Sequence, residues 1–314
     1  MKYSVQYNGQ ELHFNGVSPW NNPEENTLLF ALDKYVEPGT DFKQEGCVVI
    51  LTPEASKGVN LPDSCTLIPS ESPKYTYALI LRTALEALGH YERIKDLSRY
   101  EASNGSYVST DNVSIGEGTV ILPGCVIGPD VQIGKNCLIN AGVRIVSNTK
   151  IGNNVVVGSN TVIGHEGFGF AEESPASRIR LPHLGGVIIH DDCEVGQLTT
   201  VVAGTIEPTQ IGRNTKIDDH VHVGHNVKLD ENCIITACAE LSRSSIGKNV
   251  WVGPNAAVIQ GVTIADDVFV GIGAVVTKSL EEKGMVYAGN PATEMEEYIR
   301  QRKGLKNLAE RTKL

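Results

Sequence analysis

From Ile115 onward an aliphatic residue recurs every six positions, at Ile121, Ile127, Ile133, Ile139, Ile145, Ile151, Val157 and Ile163. The register returns at Ile189, Val195 and Val201, then at Ile211, Ile217, Val223, Leu229, Ile235 and Leu241. After a one-residue deletion it resumes at Ile246, Val252, Val258, Ile264, Val270 and Val276. Four places after each aliphatic residue sits a small or β-branched one, as at Thr119, Cys125, Val131, Cys137, Val143, Thr149, Val155 and Thr161. Two inward positions per six residues describe a short strand and a corner. Three such units close a triangular coil, and stacked coils bury a continuous apolar column while pairing their strands in parallel. The two dozen aliphatic positions make about eight coils.

This six-residue pattern is the hexapeptide repeat. It resembles the left-handed parallel β-helix acyltransferases; the handedness follows from that resemblance, because ordinary crossovers are right-handed. The predicted fold is mainly β: a parallel β-helix over 105–278, a small α/β domain over 1–104 and a helical extension over 279–314. In the first of these flanks, Leu28–Tyr35 and Cys47–Leu51 read as strands. Ser72-Pro73 opens a helix over Tyr75–Leu88 that Gly89 stops. Downstream, Gly289–Pro291 reads as a turn before one or two helices.

Breaks in a repeat are where function is sought. Between Ile163 and Ile189 lie 25 residues expected to project as a loop, the insertion proper being 165–187. Thr205-Ile206-Glu207-Pro208 adds four more, and one residue is missing between Leu241 and Ile246.

Composition narrows the partners. A formal net charge of -10 repels phosphate backbones and anionic lipid, which disfavours nucleic acid and membrane surfaces. No apolar segment follows a basic start in Met1–Trp20, and the longest apolar run, Cys47–Leu51, is too short to span a bilayer. A cytoplasmic protein is expected. Seven cysteines without a CxxC pair fit a reducing compartment and support neither a disulfide framework nor a metal centre. The tail carries Arg300, Arg302, Lys303, Lys306, Arg311 and Lys313 against Glu310, either a solvated helix face or a site for an acidic partner.

Three histidines cluster at His220, His222 and His225. With Val223 inward, His225 falls at a corner and points outward, where a near-neutral imidazole can take a proton from an attacking amine. The blocks Ile163–Ala171, Leu181–Ile189 and Val221–Val227 resemble, in order and spacing, the UDP-3-O-(3-hydroxyacyl)glucosamine N-acyltransferases of lipid A synthesis. Gly16–Val36 resembles that family's uridine-binding segment. The resemblance implies His225 as catalytic base beside Asn226, Phe30 and Tyr35 around the base ring, and further substrate contacts from His165, Phe168, Phe170 and His222. It also implies a homotrimer. Departures are present: Val202-Ala203-Gly204 replaces Asp-Arg-Gly, Val262 replaces a second His, and Gly271–Val275 replaces a Met-rich stretch. Gly289-Asn290-Pro291-Ala292 is closer to the coenzyme A-dependent sugar acetyltransferases.

The sequence therefore predicts an N-acyltransferase acting on a nucleotide-linked amino sugar, with a thioester of acyl carrier protein or coenzyme A as co-substrate and no bound cofactor or metal. The alternative within the class is the lipid A enzyme itself. Two other classes compete: a zinc hydratase like the gamma-class carbonic anhydrases, using His183, His220 and His225, and a non-catalytic nucleotide-sugar binding protein. The zinc reading suffers because nothing in the repeat brings His183, in the projecting loop, to the other two. Coil stacking puts Ser242, or Arg243 if the deletion falls later, over His225, and the Ser242 backbone N–H is the expected oxyanion donor. Reversing Arg300, Arg302 and Lys303 to Glu should raise the KM of a carrier-protein or coenzyme A thioester and leave a pantetheine thioester unaffected, with added salt mimicking the variant.

Overall fold

The computed structural model describes residues 3–289 and 295–312. The six-residue period becomes a three-sided parallel β-helix of two- and three-residue strands. One face pairs Ile115 with Ile133, Ile133 with Ile151, and Ile151 with Ile189 across the long insertion. It continues through Ile211, Leu229, Ile246 and Ile264. Its eight strands give eight coils, with one extra strand added to the second face and two to the third. The inward aliphatic residues form one continuous core, and most of its members are almost wholly buried. Inward cysteines fill the small positions: Cys125, Cys137, Cys193 and Cys233 are all buried.

Corners impose a second requirement. Outside the three breaks of the repeat and its last turn, the turns place a residue in the left-handed region three places after the inward aliphatic one, and Asn supplies it repeatedly. Asn154, Asn214, Asn226, Asn232 and Asn249 all have φ between 56° and 62°. Stacked corners join their side chains, as where the Asn214 amide donates to Asn232 Oδ1 at 3.0 Å.

Before the coils, a hairpin of Tyr3–Tyr7 and Gln10–Phe14 is followed by a four-stranded parallel sheet. The strand expected over Leu28–Tyr35 stops at Phe30, and Asp33–Tyr35 turns as a 3-10 helix. The helix runs Pro73–Ala87 with Pro at its first turn; Ser72 precedes it without a side-chain cap, and Gly89 follows at φ 65°. Met295–Thr312 forms a single helix. Asn290, Pro291 and Ala292 lie outside the described residues, and with them most of the predicted turn.

The long insertion does not project freely. Phe170–Ser174 and Ser177–Arg180 form an antiparallel hairpin. Ala171 and Leu181 are buried with Tyr77, Ile80 and Leu81 of the Pro73–Ala87 helix in one apolar cluster. Lys74 donates from Nζ to the Phe170 carbonyl at 3.0 Å. The hairpin buries apolar side chains that a solvated loop would leave in water, and so ties the N-terminal sheet and helix to the coils.

Ile211 is fully buried beside the four-residue insertion. Ile211→Ala should cost about 2–5 kcal/mol of stability in urea denaturation, the usual cost of such a cavity.

Candidate functional site

The two insertions meet. Leu184 N–H donates to the Thr205 carbonyl, Gly185 N–H to Gly204, and Gly204 N–H to Gly186. Gly204 has to be glycine, because a Cβ there would overlap the Glu207 carbonyl oxygen and approach Asn226 Nδ2 at 2.9 Å.

This pair of segments clamps one corner asparagine. Asn226 N–H donates to Thr209 Oγ1 at 2.9 Å, and its amide Nδ2 donates to the Glu207 carbonyl at 2.7 Å. Its Oδ1 accepts from the Thr205 N–H at 3.1 Å and the Thr205 hydroxyl at 2.9 Å. The amide is therefore oriented by its own bonds. Its oxygen lies 3.1 Å from His225 Nδ1, and an amide oxygen can only accept. His225 Nδ1 consequently carries the proton and Nε2 presents a lone pair.

His225 opens into a cleft of about 670 Å³ between the N-terminal sheet and the coils. Phe30 and Tyr35 line it, as does Trp20, which donates from Nε1 to the Tyr35 carbonyl at 3.0 Å. Phe30 is half-buried against Tyr77, with ring centroids 4.8 Å apart, whereas Tyr35 is exposed and lies under the Lys34 ammonium at 4.8 Å. Lys34, Lys74 and Arg243 supply three cations to the wall, and among the described residues no Asp or Glu lines it. Burial, and next the nearby Arg243 guanidinium, push the Lys74 ammonium below its ordinary value. On an acidic protein, a cleft of this sign fits an anionic ligand.

The deletion falls after Leu241, which still pairs with Val223, and before Ser245, which pairs with Lys228. The Ser242 N–H donates to the Val258 carbonyl at 3.0 Å, so it is committed to the ladder and is not an oxyanion donor. The shortened corner instead leaves the Arg243 N–H without a hydrogen-bond partner among the described residues.

Other expected site residues lie elsewhere. His165 and Phe168 are exposed and outside the cleft lining. Phe170 is also outside it, stacked under Arg180 at 4.8 Å. His222 stands on the outer face of its strand, its Nδ1 2.7 Å from the Thr200 hydroxyl. Arg300, Arg302 and Lys303 are exposed on the C-terminal helix and do not line the cleft.

His183 overturns one expectation. The folded insertion carries it to His225, with the rings edge-to-face and centroids 5.2 Å apart. His220 lies at the opposite end of the same strand, exposed, with φ 56°. Among the described residues, no group of three or more His, Cys, Asp or Glu is placed to hold a metal ion.

Burial, then the His225 ring, push His183 down to about 4. An unfolded chain takes up this proton near pH 6.5, so between about 6.5 and 4 the unfolded state binds more protons. Stability should fall as pH drops through that window and feel nothing of His183 above it. In urea denaturation, His183→Gln should lose less stability than the parent between neutral pH and about pH 5.

Comparison with known proteins bears on the repeat and the fold. Residues 112–146, 130–165, 208–243 and 243–278 match the family described as bacterial transferase hexapeptide (six repeats). The UDP-3-O-acylglucosamine N-acyltransferase of Methylococcus capsulatus is 39% identical over 136 residues, 43% of this chain and 38% of the relative. That of Campylobacter lari is 38% identical over 136 residues, covering 43% and 42%. The matched part is thus less than half the length of these relatives. Among solved structures, the UDP-N-acetylglucosamine O-acyltransferase of Moraxella catarrhalis covers 64% of this chain and 77% of its own at a TM-score of 0.53 and 21% identity. The Francisella novicida UDP-N-acetylglucosamine acyltransferase covers 64% and 72%, at 0.53 and 24%. At such identity the likeness concerns the fold, the left-handed parallel β-helix. In its repeat and in its fold alike, the chain is similar to the hexapeptide-repeat transferases.

Proposed function

We propose that the protein transfers an acyl group from a thioester to the amine of a nucleotide-linked amino sugar. The carrying observation is the His225–Asn226 pair opening into a cleft that has three cations, three exposed or half-buried aromatic rings and, among the described residues, no carboxylate in its lining. The names of the curated relatives favour UDP-3-O-acylglucosamine as acceptor over a more distant nucleotide sugar, and so favour the lipid A enzyme. The departures at Val202-Ala203-Gly204 and Val262 leave His225 and Asn226 themselves in place, with Gly204 packed against the Asn226 amide.

In this reading Phe30 and Tyr35 hold the base ring by stacking. Lys74 and Arg243 face the phosphates, which also relieves their mutual repulsion. The sugar amine attacks the thioester carbonyl as His225 Nε2 takes its proton, and the C–N bond forms. The Arg243 N–H, one coil along, faces the developing oxyanion. The tetrahedral intermediate then breaks its C–S bond, and the imidazolium returns the proton to the leaving thiolate. Asn226 acts through His225 as a positioning residue: its accepting oxygen fixes the tautomer that leaves Nε2 free. Acyl carrier protein and coenzyme A are both candidate donors, and the basic face with Arg300, Arg302 and Lys303 would attract either. A homotrimer and a cytoplasmic location belong to the same reading.

The test is incubation of the purified protein with UDP-3-O-acylglucosamine and other nucleotide amino sugars against both thioesters, read as N-acylated product by mass spectrometry. His225→Ala should lower turnover by roughly 10²–10⁴-fold with little change in melting. Full activity in that variant, or no product with any pairing, would overturn the assignment.

A further inference from the structure

One buried imidazole takes no part in the steps above. His183 is 6% exposed. Its Nδ1 lies 2.9 Å from the Leu181 carbonyl oxygen, which can only accept, so Nδ1 carries the proton and Nε2 the lone pair. That Nε2 is buried and has no hydrogen-bond partner among the described residues. An orphaned acceptor buried away from solvent is destabilising, and its retention calls for a reason. Its surroundings supply one. A Cβ on Gly167 would stand 2.9 Å from His183 Nε2 and 3.3 Å from His225 Cδ2, so the glycine covers both groups at once. The Cδ2–H edge of His225 adjoins Nε2, the atom that receives the proton.

We propose that His183 is a positioning residue for the base: a permanently neutral imidazole whose free lone pair steadies the His225 ring when that ring is protonated. The proposal rests on His225 being the base. When Nε2 gains a proton, positive charge spreads over the adjoining C–H edge, and a neighbouring lone pair then attracts it more strongly than before. The depressed value of His183, about 4, keeps it an acceptor through the neutral range. Other charged groups also surround the pair. Lys74 on the Pro73–Ala87 helix and Arg243 at the shortened corner line the cleft with His225. Arg180 on the inserted hairpin acts on His183, Glu166 accepts from the His183 N–H at 3.4 Å, and the Glu207 carboxylate is paired with Lys228. All stay in place when only His183 is changed.

The experiment is an NMR pH titration of the histidine side chains in the full-length free protein, together with the kcat/KM profile against pH. His183→Leu removes the lone pair and keeps the bulk; His183→Gln keeps an acceptor. In His183→Leu the titration of His225 and the acid limb of the profile should both move to lower pH by about one unit, a tenfold loss of proton affinity. His183→Gln should return most of that displacement. Movement to higher pH, or none in the leucine variant, overturns the proposal. If the leucine variant does not fold, the parent protein still decides: His183 must keep its proton on Nδ1 and stay neutral from pH 5 to 8, and a His183 titrating near neutrality overturns the proposal. A protein inactive with every thioester that still shows the NMR displacement would remove the acyltransferase reading and uphold the coupling of the two imidazoles.

Discussion

Parallel pairing of identical short strands, coil upon coil, is the constraint from which everything else in the molecule follows. Each coil leaves its backbone groups unpaired on two edges, and only another coil in register satisfies them. The same register places one inward aliphatic residue above another, so hydrogen bonding and apolar burial demand the same spacing. The stack therefore tolerates changes only at corners. The long insertion, the Thr205–Pro208 insertion and the lost residue after Leu241 all fall there, and each leaves the ladder on either side intact.

The candidate site is made from those three exceptions. An ordinary corner Asn caps the corner of the next coil, as Asn214 does with Asn232. Asn226 begins as such a corner, with the same left-handed backbone. The short insertion redirects its amide to Glu207 and Thr205, which turns its oxygen toward His225. The long insertion braces the short one and delivers His183. The deletion leaves the Arg243 N–H out of the ladder. A structural position thus becomes a chemical one without a change in its backbone.

Charge follows a similar logic. The protein is acidic overall, yet the cleft draws its cations from separate stretches: Lys34 after the first long strand of the sheet, Lys74 on the helix, Arg243 on the coils. None has a carboxylate partner in the cleft lining, so their field is available to a ligand.

The sequence by itself determined the coil number, the inward column and the outward placement of His225, because each depends on a six-residue period that is local and repeated many times. It also marked where the period fails. Ser242 was misassigned because the sequence locates a deletion only to within a few residues, while the ladder bonds Ser242 and spares Arg243. The placement of His183 beside His225 and of Lys74 at the cleft is not legible in the sequence for another reason. Both lie outside the repeat, on segments whose direction is fixed by apolar packing of the inserted hairpin against the Pro73–Ala87 helix. Such contacts join residues about a hundred positions apart, and no periodicity in the chain encodes them. Tertiary structure alone decided that the insertion folds back, and so which imidazole stands beside the base.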